Sequence, residues 1–132
     1  MRKRHRMASK LSLLSVAFLM LAMTWMPQEA NAHSFPEEQH PFAGQTLTAP
    51  PSEIKIKFDA PIEKLFAKLQ VIGADGKDYA VGTPQISDDG IQLSSKVEAL
   101  KPGEYTVKWA VVCVDTHHTE GSYSFTVAGG GA

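Results

Sequence analysis

The chain has 132 residues, of which 43% are hydrophobic and 20% are charged, and its formal net charge is −1. This balance gives no electrostatic basis for binding nucleic acid or an anionic membrane surface, and the single cysteine excludes a CxxC pair. The length allows one small domain and excludes a second one once the N-terminal segment is set aside.

The N-terminus has the pattern of a secretory signal peptide. Residues 1–10 are basic, residues 11–26 are almost wholly apolar, and the small residues Ala-Asn-Ala end at Ala32. The apolar run is short for a membrane span, so we expect cleavage after Ala32 rather than an uncleaved anchor. The sequence therefore predicts a signal peptide over residues 1–32 and an exported domain over 33–132 that begins at His33 and has no membrane anchor.

The charge and the sulfur content of the exported part differ from those of the whole chain. Residues 33–132 keep eight basic and thirteen acidic side chains, a balance of −5, which argues further against nucleic acid and anionic membranes. All five methionines lie in the signal peptide. The mature protein would therefore contain no thioether side chain.

The remainder alternates short strand-like segments with turns. In residues 53–58, Ile54, Ile56 and Phe58 alternate with charged side chains, which is typical of a half-buried strand. Asp-Gly and Pro-Gly turns separate this strand from the other candidates, which are 68–73, 90–95, 101–114 and 121–127. The one helical-looking piece is residues 60–69. The pattern predicts an all-β fold, an antiparallel Greek-key β-sandwich or small barrel of about seven strands.

A cluster of polar side chains follows the longest predicted strand, in the sequence DTHH at residues 115–118. If the chain is extended there, Asp115 and His117 project to one face, and a carboxylate with an imidazole suits a divalent transition metal. The alternative is that Asp115 accepts a hydrogen bond in a turn and His117 is solvated. The spacing alone leaves both interpretations open.

The histidine at the predicted cleavage site favours the metal interpretation. A free His33 offers its α-amino group and its ring nitrogen as a chelating pair, and the amine deprotonates readily when a metal competes for it. With His117 this makes three nitrogen ligands, and Asp115 can add an oxygen. Nitrogen donors in a tetragonal array favour Cu(II) over other divalent ions. Because the amine exists only after cleavage, binding would be linked to export.

At this point the chain resembles the CopC family of periplasmic copper-binding and copper-resistance proteins. The specific part of the resemblance is the terminal histidine together with Asp-x-His, and generic strand patterns accompany it. The matching segments are HPFAG (40–44), PPSEIKIKF (50–58), LKPGEYTVKWAVV (100–112) and the DTH, G and F-x-V positions within 115–127.

The resemblance implies a seven-strand, cupredoxin-like (Ig-like) β-barrel that holds one Cu(II) per chain through the terminal amine and ring of His33, with His117 and Asp115 completing the site. It also implies a periplasmic monomer that acts in copper resistance or homeostasis and hands copper to a CopD-like transporter of the inner membrane.

The chain departs from the family pattern in several places. It has no mature methionine, so we expect no thioether site for Cu(I). The residues FDA (58–60) replace the family's usual FSE, and His118 stands where proline is common. His118 faces away from His117 if both lie on a strand, and His40 precedes Pro41 seven residues after His33. Whether either histidine is a ligand is left open.

The single cysteine has three interpretations. Strand parity places Cys113 on the same face as Asp115 and His117, where it would act as a thiolate ligand. It is otherwise a buried small hydrophobe, as free cysteines usually are, or forms an intermolecular disulfide in an oxidising compartment.

Three functional classes remain. The first is a periplasmic Cu(II) carrier or buffer, which is not an enzyme. The second is a histidine-brace copper oxidase or monooxygenase, for which a 100-residue chain with few aromatic residues leaves little substrate surface. The third is a non-metal Ig-like structural module, for which His33 and DTHH would be coincidence.

Overall fold

The computed structural model describes residues 34–129. The predicted signal peptide and His33 lie outside the described residues, so cleavage after Ala32 stays a prediction. Within residues 34–129, no helix is long and apolar enough to cross a membrane.

Residues 34–129 form eight β-strands and contain no helix. The strands are β1 (Pro36–His40), β2 (Thr46–Leu47), β3 (Glu53–Phe58), β4 (Lys68–Gly73), β5 (Ala80–Ile86), β6 (Gln92–Val97), β7 (Gly103–Val112) and β8 (His118–Val127).

The strands form two four-stranded sheets. One has the order β1-β3-β6-β5 and the other the order β2-β8-β7-β4. All pairs are antiparallel except the short pair of β2 with β8, where Thr46 lies opposite Thr126 in a parallel arrangement. The predicted all-β sandwich is confirmed, with one parallel pair and one short strand more than expected.

The hydrophobic core contains the alternate side chains of the long strands of both sheets. On β3, Ile54, Ile56 and Phe58 are buried, as the alternation predicts. The other strand residues of this core cluster are Leu69 and Val71 on β4, Leu93 on β6, Tyr105, Val107, Trp109 and Val111 on β7, and Tyr123, Phe125 and Val127 on β8. Phe58 and Trp109 join the two sheets through an edge-to-face contact, with ring centroids 5.3 Å apart.

The strand predictions are right where alternation or turn signals are strong. β3 and β4 have the predicted bounds, 53–58 and 68–73. The predicted strand 101–114 extends two residues too far, because β7 ends at Val112, and β8 begins three residues before the predicted 121. The chain therefore turns between residues 112 and 118, within the DTHH region.

The helical expectation for residues 60–69 is wrong. Ile62 forms an isolated antiparallel bridge with Cys113, and the Glu63 amide donates to the carbonyl oxygen of Val112 at 2.7 Å. Phe66 has a φ of 70°, which a right-handed helix does not allow. The segment lies against the end of β7 because its backbone groups pair there.

Sequence reasoning missed β1 because this strand has no apolar alternation. β1 is an edge strand, and the Lys57 ammonium of β3 forms ion pairs with Glu37 and Glu38 of β1 at 3.5 and 3.4 Å. These carboxylates raise the pKa of Lys57.

Sequence reasoning missed β5 because it contains Gly82 and Pro84, which are tolerated on a sheet edge.

Candidate metal centre

The Asp-x-His motif lies at the tip of the hairpin formed by β7 and β8. The two strands pair along their whole length, from Gly103 opposite Val127 to Val112 opposite His118. Because the inner face of both strands packs in the core, the hairpin is a rigid support. It presents residues 113–117 at one end of the sandwich.

The tip is a three-residue turn closed by two backbone hydrogen bonds. The Thr116 amide donates to the Cys113 carbonyl oxygen at 2.9 Å, and the Cys113 amide donates to the His117 carbonyl oxygen at 2.8 Å. Thr116 has a φ of 77°, the left-handed conformation that three-residue hairpin loops use. That conformation is uncommon for a β-branched residue and stores strain of the order of 1 kcal/mol or more.

This turn brings Asp115 and His117 together. The His117 ring atom Nδ1 lies 3.1 Å from Asp115 Oδ2, and the His117 backbone amide donates to Asp115 Oδ1 at 3.2 Å. The extended-strand argument for the pair is wrong, because residues 114–116 form a turn. The alternative Asx-type hydrogen bond is present as well, so the turn and the carboxylate–imidazole pair coexist.

The distance between the two side chains fits a shared metal ion as well as a hydrogen bond. With metal–ligand bonds of about 2.0 Å, two neighbouring ligands about 90° apart lie about 2.8 Å from each other. The His117 side chain is 60% exposed and that of Asp115 is 27% exposed. Solvent therefore reaches the imidazole, whereas the Asp115 Oδ2 atom itself is buried. A carboxylate with an imidazole suits a divalent transition metal.

Two donors do not complete a metal site. Within residues 34–129, no group of three or more histidine, cysteine or acidic side chains is arranged to hold an ion. The third predicted ligand, His33, lies outside the described residues. It is joined by a peptide bond to Ser34, which is fully buried beside this hairpin.

Cys113 does not share the exposed face of the pair. Its side chain is 1% exposed, and its sulfur accepts a hydrogen bond from the Ser34 amide at 3.0 Å. The strand-parity prediction is wrong here, because the chain leaves the strand after Cys113. The thiol lies in the interior, as the buried-hydrophobe interpretation expects.

The other two histidines of the described residues, His40 and His118, are not grouped with the pair. His118 is the first residue of β8, is exposed, and lines a shallow groove of about 320 Å³ with Phe66 and Val112. His40 ends β1, six residues beyond Ser34, which is roughly 20 Å along an extended strand. Neither histidine is grouped with Asp115 and His117 as a set of metal ligands among the described residues.

Sequence reasoning missed Ser34 and Thr119. The Thr119 hydroxyl donates to the Ser34 carbonyl oxygen at 3.1 Å, a contact between residues 85 positions apart. Hydroxyl residues are frequent and have no fixed spacing here. No sequence signal distinguishes this pair from the other serines and threonines.

Comparison with known proteins gives a consistent family match. The model of the CopC domain matches residues 36–128. Protein YobA of Escherichia coli K12 is 32% identical over 123 residues, covering 92% of this chain and 99% of YobA. Copper transport protein CutJ of Bacillus subtilis is 25% identical over 111 residues, which are 83% of this chain and 20% of CutJ.

Two solved structures are similar to this fold. CopC from Methylosinus trichosporium OB3b has a TM-score of 0.67 and 29% identity, over 76% of this chain and 98% of that protein. PcoC, a methionine-rich copper resistance protein from Escherichia coli, has a TM-score of 0.62 and 25% identity, over 72% of this chain and 98% of PcoC. Both cover the described β-sandwich almost completely.

Proposed function

The chain belongs to the CopC family, and from this premise we propose that it is an exported copper-binding protein that holds one Cu(II) ion through His33, Asp115 and His117. The names of its relatives support a role with copper, since CutJ is a copper transport protein and PcoC a copper resistance protein. Within that role the chain is a carrier or buffer in the periplasm, and copper is its cargo.

One observation carries the proposal, the pairing of Asp115 Oδ2 with His117 Nδ1 at 3.1 Å on a solvent-facing hairpin tip. The pair supplies one oxygen and one nitrogen donor. Ser34 is buried against Cys113, two residues before Asp115, and this supports a third contribution from the residue before Ser34. A peptide bond limits the distance between the Cα atoms of His33 and Ser34 to about 3.8 Å.

The choice of copper ion follows from the donor types. A terminal amine, two imidazoles and a carboxylate are nitrogen and oxygen donors, which favour Cu(II) among divalent ions. Soft thioether ligands, which suit Cu(I), are missing from residues 33–132 because every methionine precedes them. In this respect the chain differs from PcoC, which is described as methionine rich.

The proposal includes where copper goes. CutJ contains a region similar to this chain that makes up 20% of its length, which supports a link between such domains and copper transport. We assign the chain the role of a monomeric carrier that hands Cu(II) to a CopD-like transporter in the inner membrane. It is not assigned an enzymatic role.

The test is a Cu(II) titration of the mature chain starting at His33, verified by mass, with Trp109 fluorescence and electron paramagnetic resonance as readouts. Trp109 is the sole tryptophan after the signal peptide, and paramagnetic Cu(II) is expected to quench it. In a matched chain with one extra residue before His33, the His33 backbone nitrogen is part of a peptide bond and is no longer a free amine. We expect binding of one Cu(II) per chain with nitrogen hyperfine structure, and a loss of affinity of a hundredfold or more in the extended chain.

The neighbouring histidines supply an internal control. His117→Ala removes a proposed ligand, whereas His118→Ala removes an exposed imidazole one position away. We expect the first change to weaken Cu(II) binding at least tenfold and the second to leave it within about twofold. Equal binding by the mature and extended chains would refute the terminal-amine site, and equal binding by the two alanine variants would refute His117 as a ligand.

A further inference from the structure

Ser34 is held by three hydrogen bonds from three different segments. Its amide donates to Cys113 Sγ at 3.0 Å, its hydroxyl donates to the Pro61 carbonyl oxygen at 3.2 Å, and its carbonyl oxygen accepts from the Thr119 hydroxyl at 3.1 Å. Ser34 has no exposed surface. We call Cys113, Thr119 and Pro61 the Ser34 clamp.

The next residue is held in the same way. The Phe35 amide donates to Asp59 Oδ1 at 2.7 Å, and the Asp59 amide donates to the Phe35 carbonyl oxygen at 2.9 Å. The backbone amide and carbonyl groups of Ser34 and Phe35 are thus all hydrogen-bonded before β1 begins at Pro36. Chain segments near a terminus normally fray unless they are tied down, and these two residues are tied down.

The Ser34 contacts to Cys113 and Thr119 are made by side chains, not by a strand partner. A buried backbone amide or carbonyl group is costly unless it is paired. Here the pairing partners are a thiol sulfur and a hydroxyl group. Removing either side-chain group leaves a Ser34 backbone group without this partner.

Two members of the clamp, Cys113 and Thr119, belong to the same hairpin as the Asp115–His117 pair. Cys113 closes the turn through its own amide and carbonyl groups, and Thr119 follows His117 by two residues on β8. The hairpin therefore fixes Ser34 with residues 113 and 119 and presents the carboxylate and imidazole with the residues between them.

We propose that Cys113 and Thr119 are positioning residues that fix Ser34, so that the residue before it is presented to Asp115 and His117. This inference rests on the proposed function, in which His33 is a ligand. A fixed Ser34 lowers the conformational entropy that the terminal residue loses when it coordinates the ion. Cys113 acts here as a hydrogen-bond acceptor, not as a metal ligand.

The test compares Thr119→Val with Thr119→Ser in the mature chain. Valine has nearly the shape of threonine but no hydroxyl, whereas serine keeps the donor to the Ser34 carbonyl. We expect Thr119→Val to weaken Cu(II) binding by about tenfold and Thr119→Ser to stay within about threefold of the wild type. Cys113→Ala and Cys113→Ser form a second pair with the same expected order.

A matched control separates positioning from general stability. Thr106 is also partly buried on this hairpin, and its hydroxyl pairs with Ser124 at 3.3 Å. Thr106→Val removes a comparable hydrogen bond away from the tip, and we expect it to leave the Cu(II) affinity unchanged.

A second readout needs no metal. Alkylation of the buried Cys113 by iodoacetamide in metal-free protein reports release of the Ser34 segment. We expect the alkylation of Cys113 to be at least fivefold faster in Thr119→Val than in Thr106→Val.

The outcomes distinguish this inference from the function on which it rests. Absence of Cu(II) binding by the wild-type mature chain would refute the proposed function and the inference together. Wild-type binding with equal affinities and alkylation rates in Thr119→Val and Thr119→Ser would refute the positioning role alone.

Discussion

At the scale of single residues, Asp115 has two separate tasks. Its Oδ1 accepts the His117 amide and thereby stabilises the turn, while its buried Oδ2 faces the His117 ring. The first task needs only a hydrogen-bond acceptor, and the second benefits from a negative charge near a cation. The two tasks can therefore be separated by substitution.

We expect Asp115→Asn to keep the fold and weaken copper binding. Asparagine can still accept the His117 amide, so the melting temperature of the metal-free protein should stay within about 2 °C of the wild type. Loss of the charged oxygen donor should lower the Cu(II) affinity by about tenfold or more. Parallel thermal unfolding and Cu(II) competition titrations measure the two effects.

Asp115→Ala serves as the comparison, because it removes the acceptor as well. Its metal-free form should lose about 1 kcal/mol of stability, the net value of a typical hydrogen bond. A wild-type affinity in Asp115→Asn would show that the carboxylate is not a ligand.

The sequence singled out Asp115 and His117 as candidate ligands because both residue types can bind metals and they stand two positions apart. It did not identify how they meet, since a two-residue spacing fits an extended strand and a turn equally well. The left-handed conformation of Thr116 decides between them, and threonine gives no signal for it. Ser34 and Thr119 could not be found, because their contact depends on the folded positions of residues 85 apart.

At the scale of elements, the β7–β8 hairpin depends on a close fit between Trp109 and Gly121. These residues are register partners, and a Cβ atom on residue 121 would lie 2.6 Å from Cζ2 of the Trp109 ring. The glycine therefore leaves space for the indole, which also packs edge-to-face on Phe58. The hairpin that carries the proposed metal ligands Asp115 and His117 is held to the core at this point.

We expect Gly121→Ala to destabilise the protein by about 1–3 kcal/mol, because the added methyl group forces the indole out of its position. For a domain of this size, each kcal/mol lowers the melting temperature by about 4–8 °C. Thermal unfolding followed by Trp109 fluorescence measures both the loss and the change in the indole environment.

Gly129→Ala is the matched control, since its Cβ would lie 4.0 Å from the nearest atom, on Pro102. It should leave the melting temperature unchanged or slightly raised. Equal melting temperatures for the two alanine variants would contradict the packing argument.

Elements were predictable where local pattern and packing agree. β3 alternates three buried apolar residues with charged ones, so its bounds can be predicted from its own sequence. β1 and β5 are edge strands whose pairing depends on a neighbouring strand rather than on their own composition. Residues 60–69 have helical composition, but their backbone pairs with the end of β7, and this tertiary contact overrides local propensity.

At the scale of the whole molecule, copper binding should be coupled to folding only in part. The donors Asp115 and His117 come together through the β7–β8 turn, so the unfolded chain does not hold them in place. In the proposed site, the terminal amine and ring of His33 belong to one residue, so the unfolded chain would keep that chelating pair. Binding to the unfolded state reduces the stabilisation that a ligand gives.

We therefore expect Cu(II) to raise the melting temperature by less than its affinity for the folded chain alone would imply. A hundredfold excess over the dissociation constant would stabilise the folded chain by about 2.7 kcal/mol if the unfolded chain bound no copper. At about 4–8 °C per kcal/mol, this limit corresponds to a rise of roughly 10–20 °C, and the observed rise should be several degrees smaller.

His117→Ala isolates the part of the binding energy that depends on the fold through His117. This variant keeps the His33 pair in both states and Asp115 as the remaining fold-dependent donor, so Cu(II) should raise its melting temperature by clearly less than that of the wild type. Thermal unfolding of both proteins with and without Cu(II) at neutral pH measures the difference. An equal shift in the two proteins would mean that the fold contributes nothing to binding through His117, and the proposed ligand set would then have to be revised.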